Sequence, residues 1–405
     1  MQRRARFVAL AFIVSMALLA LYRKYSPVLW IDRDPADIFP GAESPAEPAK
    51  FVDHAVDSAV TKASPRPQIP LYSESGSSRR ANATFVMLAR NSDLEGALLS
   101  VRGLEDRFNS RYGYPYVFLN EEEFTEDFKR RIRNLTPSRV EFGLIPKEHW
   151  YQPDWIDNDK ARTAMTRMDR MNVKYGGNLA YHNMCRYNSG FFFKHPLMQQ
   201  YRWYWRVEPK VKFSCDIQND PFLFMEDNDK IYGFTLAVYE IPATIPTLWD
   251  TVKKFRDKHP EYIRTADNAL AFISQDGGRS YNRCHSLTLV HTNQFGATSR
   301  SPRSISGVVR LTRRSSNIST LQAGFTTRHD SFSRWGDAPV HSIAASLFLK
   351  KSQIHLFEDI GYQHDDWQHC PQTQQLWEAG RCMCSIKDSF DYSPDSCRKK
   401  WDMLN

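Results

Sequence analysis

Thr84-Phe-Val-Met-Leu-Ala89 is a short apolar run, followed by Asn91-Ser-Asp93, a helical pattern from Leu94 to Phe108, and Tyr114-Pro-Tyr-Val-Phe-Leu119. Strand, amphipathic helix and second strand make a βαβ opening, so a parallel sheet covered by helices is expected. The alternation continues downstream. Ala161 to Met171, Pro196 to Trp203, Thr247 to Lys258 and Ser342 to Phe348 read as helices, and Lys230 to Tyr239 as a strand. No internal repeat is visible. The expectation is one mixed α/β domain over about residues 81–405.

Upstream of Thr84 the chain changes character. Residues 26–80 are rich in Pro, Ala, Ser and Asp with no sustained period, a composition that suits an extended stem. Before them, Phe7 to Tyr22 is an uncharged, largely apolar run, with Arg3, Arg4 and Arg6 ahead of it and Arg23 and Lys24 behind. Its sixteen residues as a helix cover roughly 24 Å, a little short of an average bilayer core. Snorkelling basic flanks and a thin early-secretory membrane absorb that mismatch. A cleaved signal peptide is the rival reading, but no small-residue cleavage site follows cleanly. The leading basic residues keep the tail cytoplasmic. Residues 1–6 then form a cytoplasmic tail, 7–22 a transmembrane signal anchor, 23–80 the stem and 81–405 a lumenal domain.

The cysteines fit that compartment. Four of seven, Cys370, Cys382, Cys384 and Cys397, crowd the last 36 residues, with Cys185, Cys215 and Cys284 elsewhere. The odd count leaves at least one thiol outside disulfides. Zinc is a rival reading for the C-terminal four, opposed by the C-x-C spacing of Cys382 and Cys384. Asn82-Ala-Thr and Asn134-Leu-Thr are glycosylation sequons. The net charge of +8 raises nucleic acid as a partner. All of the excess lies in residues 277–329, which hold eight Arg, no Lys and no acid. The remainder is neutral, and the basic stretch lacks interleaved aromatics, so nucleic acid is not expected.

The densest chemistry lies in Tyr187-Asn-Ser-Gly-Phe-Phe-Phe193, in Tyr201-Arg-Trp-Tyr-Trp-Arg-Val-Glu-Pro-Lys-Val-Lys-Phe213 and in Cys215-Asp-Ile217. An aromatic strand ending in Arg-Val-Glu208-Pro puts one carboxylate where a buried strand meets a loop. Taken alone, that reads as a helix or turn boundary rather than as a metal ligand. Arg334-Trp-Gly-Asp-Ala-Pro-Val-His-Ser342 sets Asp337 and His341 around a turn entering a helix. Ile354-His-Leu-Phe-Glu-Asp-Ile-Gly-Tyr-Gln-His364, followed by Asp365 and Asp366, offers an imidazole that could complete an oxygen-rich site for Mn²⁺. Taken singly, each also reads as a cap or a surface histidine.

Together with DPFLFMEDNDKIYGFT (220–235) and IPTLW (245–249), these stretches resemble the fungal α-1,2-mannosyltransferase family, glycosyltransferase family 15. The resemblance covers about 83–285 and 334–397, in several motifs of ten or more residues. It implies a GT-A-like mixed sheet flanked by helices in a Golgi type II membrane protein. It implies a retaining enzyme that moves mannose from GDP-mannose to a mannosylated glycan of glycoproteins, forming an α-1,2 linkage with Mn²⁺. Residue by residue, Glu208 and His364 match the family's manganese ligands. Asp337 matches its acid near the acceptor, and Arg90 and Tyr181 match donor-contacting positions. Glu208 also falls among the nucleotide-binding positions. The Asp often found two residues after this Glu is Lys210 here.

One segment departs from the pattern. After Tyr281-Asn-Arg-Cys-His285, family members continue into a motif like FWxNFEI, whose glutamate is the candidate nucleophile or stabiliser. Here the chain runs on without an acid, and Ser and Thr make up 16 of the 53 residues from 277 to 329. A flexible basic loop is one reading. The other is a shifted reading frame. Phe295-Gly-Ala-Thr-Ser-Arg-Ser-Pro302 can be encoded by TTT GGT GCA ACT TCG AGA TCG CCG, which read two bases later gives WCNFEIA. At the same offset Ser319 to Thr327 can hide LDAAGGFYY, another family string that leads into Arg334-Trp-Gly-Asp337. Two ordered matches between in-frame motifs favour the shift over residues 277–333. A catalytically dead GDP- or glycan-binding paralogue is the alternative for the chain as written, with a strand and a helix of its core expected unbuilt.

Overall fold

The computed structural model describes residues 79–154, 156–263, 266–292 and 335–404. The expected anchor (7–22) and nearly all of the stem lie outside the described residues, as does most of the acid-free segment. No described helix is long and apolar enough to cross a membrane.

Among the described residues ten strands run β1 Ala83–Leu88, β2 Tyr116–Asn120, β3 Val140–Leu144, β4 Trp203–Arg206, β5 Lys212–Phe213, β6 Tyr232–Tyr239, β7 Cys284–Thr292, β8 Ile354–Leu356, β9 Tyr362–His364 and β10 Trp367–His369. Seven form one sheet in the order β3-β2-β1-β4-β7-β6-β8. β1 is parallel to β2 and β4, and β2 to β3. β7 runs antiparallel between β4 and β6, and β8 is parallel to β6. The small sheet β10-β9-β5 is antiparallel.

The main helices are α1 Leu94–Leu104, α2 Glu126–Leu135, α3 Asn158–Arg170, α4 Leu179–Gly190, α5 Pro221–Asp227, α6 Leu248–Lys258 and α7 Asp337–Phe348. Their starts are chemically marked. Thr125 caps α2 through Phe128 N–H, Asn178 caps α4 through Tyr181 N–H, and Asp220 caps α5 ahead of Pro221.

Strand alternation divides the core between the two faces of the sheet. Phe85, Met87, Tyr116, Phe118, Trp203 and Trp205 pack on the α1 side with Phe108, Phe128 and Phe222. The residues between them, Val86, Val117, Leu119 and Tyr204, pack on the opposite side with Tyr187 and Phe191–Phe193. A strand buried on both faces reads as a near-continuous apolar run, which is why β1 and β2 were legible.

Two expectations are corrected. Pro196 to Trp203 is not one helix, since a 3₁₀ turn at Met198–Gln200 gives way to β4 at Trp203. Three large aromatics in a row favour a pleated surface. The strand expected to be missing is present, because residues of the acid-free segment supply β7, which fills the gap between β4 and β6.

Three disulfides join Cys215 to Cys382, Cys284 to Cys397 and Cys370 to Cys384. The zinc reading of the C-terminal four gives way to this pairing, since the same sulfurs are covalently linked. The seventh cysteine, Cys185, is buried in α4.

Candidate active site

The site grows from the end of β4. Residues two apart on a strand share a face, so Tyr204, Arg206 and Glu208 continue one side of the sheet past its edge. The ladder persists as far as Val207, whose N–H donates to the Val86 carbonyl at 2.9 Å. Arg206 therefore emerges at the carboxyl end of parallel strands, where open α/β sheets bind ligands.

Arg206 stands between two carboxylates. Its guanidinium hydrogen-bonds Glu208 through one nitrogen and Asp337 through another. Asp337 is the first residue of α7, where the helix dipole also favours an anion, and its side chain is 9% exposed. The other Glu208 oxygen, Oε2, lies 2.9 Å from His364 Nε2. His364 ends β9, and Trp367 across the hairpin stacks on its ring at 6.3 Å. Two sheets and one helix terminus thus converge on a chain of four groups, His364–Glu208–Arg206–Asp337.

The electrostatics follow from that order. Burial disfavours ionised Glu208, but Arg206 and His364 more than offset it and hold the carboxyl well below the usual carboxylate range. Burial opposes charge on His364 too, yet Glu208 wins and raises the imidazole above its ordinary value. Arg206, flanked by two anions, stays charged.

A divalent cation fits here. A carboxylate oxygen and an imidazole nitrogen are donors that Mn²⁺ accepts. Two donors each ~2.1 Å from a small ion and at right angles stand ~3.0 Å apart, close to the 2.9 Å between Glu208 Oε2 and His364 Nε2. Among the described residues the one cluster of three or more ligating side chains is Cys215, Cys382 and Cys384, whose sulfurs are in disulfides. A pair, rather than a closed cage, would leave most of the coordination sphere open to other oxygen donors.

The remaining expected residues lie outside this group of four. Arg90 follows β1, the neighbour of β4, and is exposed, with Nε donating to Asp93 at 3.2 Å. Tyr181, in the first turn of α4, stacks on Tyr175 at 4.6 Å. Beside Tyr175, Lys174 reaches Asp365, the residue after His364, at 3.3 Å. The structure thus brings Glu208, His364 and Asp337 together through Arg206, and leaves Tyr181 and Arg90 outside that cluster, Arg90 just past the end of the adjacent strand. Arg206 was missed as a site residue. Its signal was its position two before Glu208 on a strand, which places the two on one face.

A doubly covered α/β sheet with a carboxylate–imidazole pair at its carboxyl end has the form of a ligand-binding α/β enzyme. The family model "Glycolipid 2-alpha-mannosyltransferase" matches residues 45–297 and 330–405, and the chain belongs to that family. It is a mannosyltransferase. It is similar to the alpha-1,2 mannosyltransferase KTR1 of Saccharomyces cerevisiae, 44% identical over 80% of this chain and 79% of that one. It is also similar to the O-glycoside alpha-1,2-mannosyltransferase omh1 of Schizosaccharomyces pombe, 41% identical over 80% and 78%. Among solved structures, core-mannan synthase A (CmsA/Ktr4) of Aspergillus fumigatus in its Mn/GDP form superposes with a TM-score of 0.68. The two are 32% identical, over 92% of this chain and 93% of that one. Ktr4p of Saccharomyces cerevisiae in complex with GDP gives 0.69 at 36% identity, over 80% and 82%.

Proposed function

We propose that this enzyme transfers mannose from GDP-mannose, with retention, to the 2-hydroxyl of a mannose on a glycoprotein glycan, and that it uses Mn²⁺ to do so. The observation that carries the reading is the facing of Glu208 Oε2 and His364 Nε2 at the end of β4. It gains support from relatives named α-1,2-mannosyltransferases and from similar structures described as Mn/GDP and GDP forms. Glu208 and His364 hold the ion, which when bound neutralises charge on the departing diphosphate. Arg206 keeps Glu208 ionised and fixed in direction. Asp337 fixes Arg206 from the other side and stands nearest the acceptor. Arg90 and Tyr181 contact the donor.

Residues 277–333 are read as out of frame. In support, residues 298–329, the larger part of the acid-free run, fall between the two stretches that the family model matches, 45–297 and 330–405. The enzyme is further read as a single-pass type II Golgi membrane protein anchored by residues 7–22, with 23–80 as stem and 81–405 in the lumen. Three disulfides support an oxidising compartment.

The test is transfer by the chain with WCNFEI restored, given GDP-mannose and methyl α-mannoside, with the product linkage read by NMR. An α-1,2 product that disappears with EDTA is expected. A different linkage, or EDTA-resistant transfer, overturns the reading. Sequencing cDNA across codons 270–340 tests the frame: a transcript restoring WCNFEI after Cys284-His285 is expected, and one matching the written frame refutes it.

A further inference from the structure

Glu208 does not hold its own position. The turn that carries it, residues 208–211, lies against the inward face of α1 and is gripped there at three points. Ser100, with no exposed surface, has a hydroxyl with one hydrogen to give. Three carbonyls are within its reach: Glu208 at 2.8 Å, Gly96 at 3.1 Å and Val211 at 3.4 Å. The shortest is to Glu208. One turn earlier along α1, the Gly96 carbonyl accepts the Lys210 N–H at 2.9 Å. The third point is a missing side chain. A Cβ on residue 96 would stand 2.8 Å from Lys210 Cγ, 3.1 Å from Pro209 Cβ and 3.3 Å from Lys210 N.

The turn so held is not relaxed. Lys210 has φ of 71°, in the left-handed region that costs a non-glycine residue energy. Such a conformation persists only where surrounding contacts over-determine it. Here those contacts fix the backbone on both sides of Pro209, immediately after the residue whose carboxylate must meet His364.

We infer that Ser100 and Gly96 are positioning residues for the divalent-cation site, setting the Glu208 carboxylate through its backbone without touching ion or substrate. The inference rests on the reading of Glu208 as a metal ligand. Residues that orient a ligand from behind typically change metal affinity 10- to 100-fold when removed. Lys210 enters through its N–H and the foot of its side chain at Cγ, so its ammonium is dispensable.

The test is Mn²⁺ titration of the full chain with excess GDP, counting free ion by electron paramagnetic resonance, with thermal melting alongside. Ser100→Ala is expected to raise the Mn²⁺ Kd by about 10- to 100-fold. Thr84→Ala removes an equally buried hydroxyl, bonded to the Pro115 carbonyl at 3.0 Å, and is expected to leave the Kd unchanged while lowering the melting temperature similarly. Lys210→Gly, which keeps the left-handed turn, is expected to bind as the parent does. An unchanged Kd in Ser100→Ala, an equal loss in Thr84→Ala, or a loss in Lys210→Gly overturns the inference. Should Ser100→Ala not fold, Gly96→Ala, which keeps every hydrogen-bonding group and displaces the turn, carries the same expectation. Glu208→Ala separates the two levels. If it binds Mn²⁺ like the parent, the ligand reading fails. If it alone loses binding, the positioning inference fails and the ligand reading stands.

Discussion

Glu208 and His364 each set the other's charge, and that mutual dependence makes their contribution testable by pH. An ion must displace any proton on the imidazole before binding. His364 is held above its ordinary value by Glu208, so the proton competes into the neutral range. Glu208 is held far below, so it adds no pH dependence there. Mn²⁺ affinity should therefore fall as pH drops through the raised His364 value and level off above it. Glu208→Ala or His364→Ala should each weaken Mn²⁺ binding by at least ~10-fold with little change in melting temperature, since the pair is half-buried at a sheet edge. Calorimetric titration between pH 5.5 and 8 checks both. A flat profile in the parent would sink the assignment of His364. At this scale the sequence named Glu208, His364 and Asp337, because each sits in a long motif. It did not name Arg206 or Ser100. Arg206 looked like one more residue of a strand, and the partner that gives Ser100 its role, the Glu208 carbonyl, lies 108 positions away.

His364 is held by its element as much as by its neighbour. The sheet β10-β9-β5 has strands of two or three residues, too short to display a period, so nothing in the pattern announced it. Tertiary links hold it together instead. Ser214 N–H donates to the Gly361 carbonyl at 2.9 Å, Met383 N–H to Ser214 at 2.7 Å, and Cys215 is bonded to Cys382. Next to that bond, buried Asp216 accepts from Arg107 at 2.7 Å and from Arg381 Nε at 2.6 Å. Burial works against the Asp216 anion, but the two guanidinium bonds outweigh it and lower its pKa. A depressed carboxyl contributes stability that is present above its unfolded value of ~3.9 and is lost as pH falls through the folded value. Asp216→Asn should cost about 1–3 kcal/mol near pH 7, and the gap from the parent should narrow on acidification below the unfolded carboxyl value. Denaturant unfolding across that range measures it, and a gap independent of pH would contradict the account. By contrast β1, α1 and β2 were readable from sequence. They are local: β1 and β2, buried on both faces of the sheet, read as apolar runs, and α1 is long enough to show its helical period.

Across the whole molecule, the α/β expectation held in the arrangement that matters, parallel strands delivering the site at their carboxyl ends. The exception is β7. It enters the sheet antiparallel where the motifs read from sequence stop, just after Cys284-His285, and a nine-residue strand pairing with β4 and β6 is non-local, so sequence alone left the slot empty. The same region decides whether the molecule works. On the proposed reading Glu208, His364, Arg206, Asp337, Arg90 and Tyr181 all lie outside residues 277–333, so nucleotide and ion binding are expected to survive wherever β7 still pairs with β4, whereas the acid proposed to face the anomeric carbon is absent. Losing such a group removes several kcal/mol of transition-state stabilisation, about 10³-fold in rate or more. The most direct measurement is the initial rate of mannose transfer from GDP-mannose in Mn²⁺, taken side by side for the chain as written and the chain with WCNFEI restored, with GDP binding measured on both. The account predicts GDP binding by both chains and transfer at least ~10³-fold faster by the restored one. Equal rates, or no transfer by the restored chain, would contradict it.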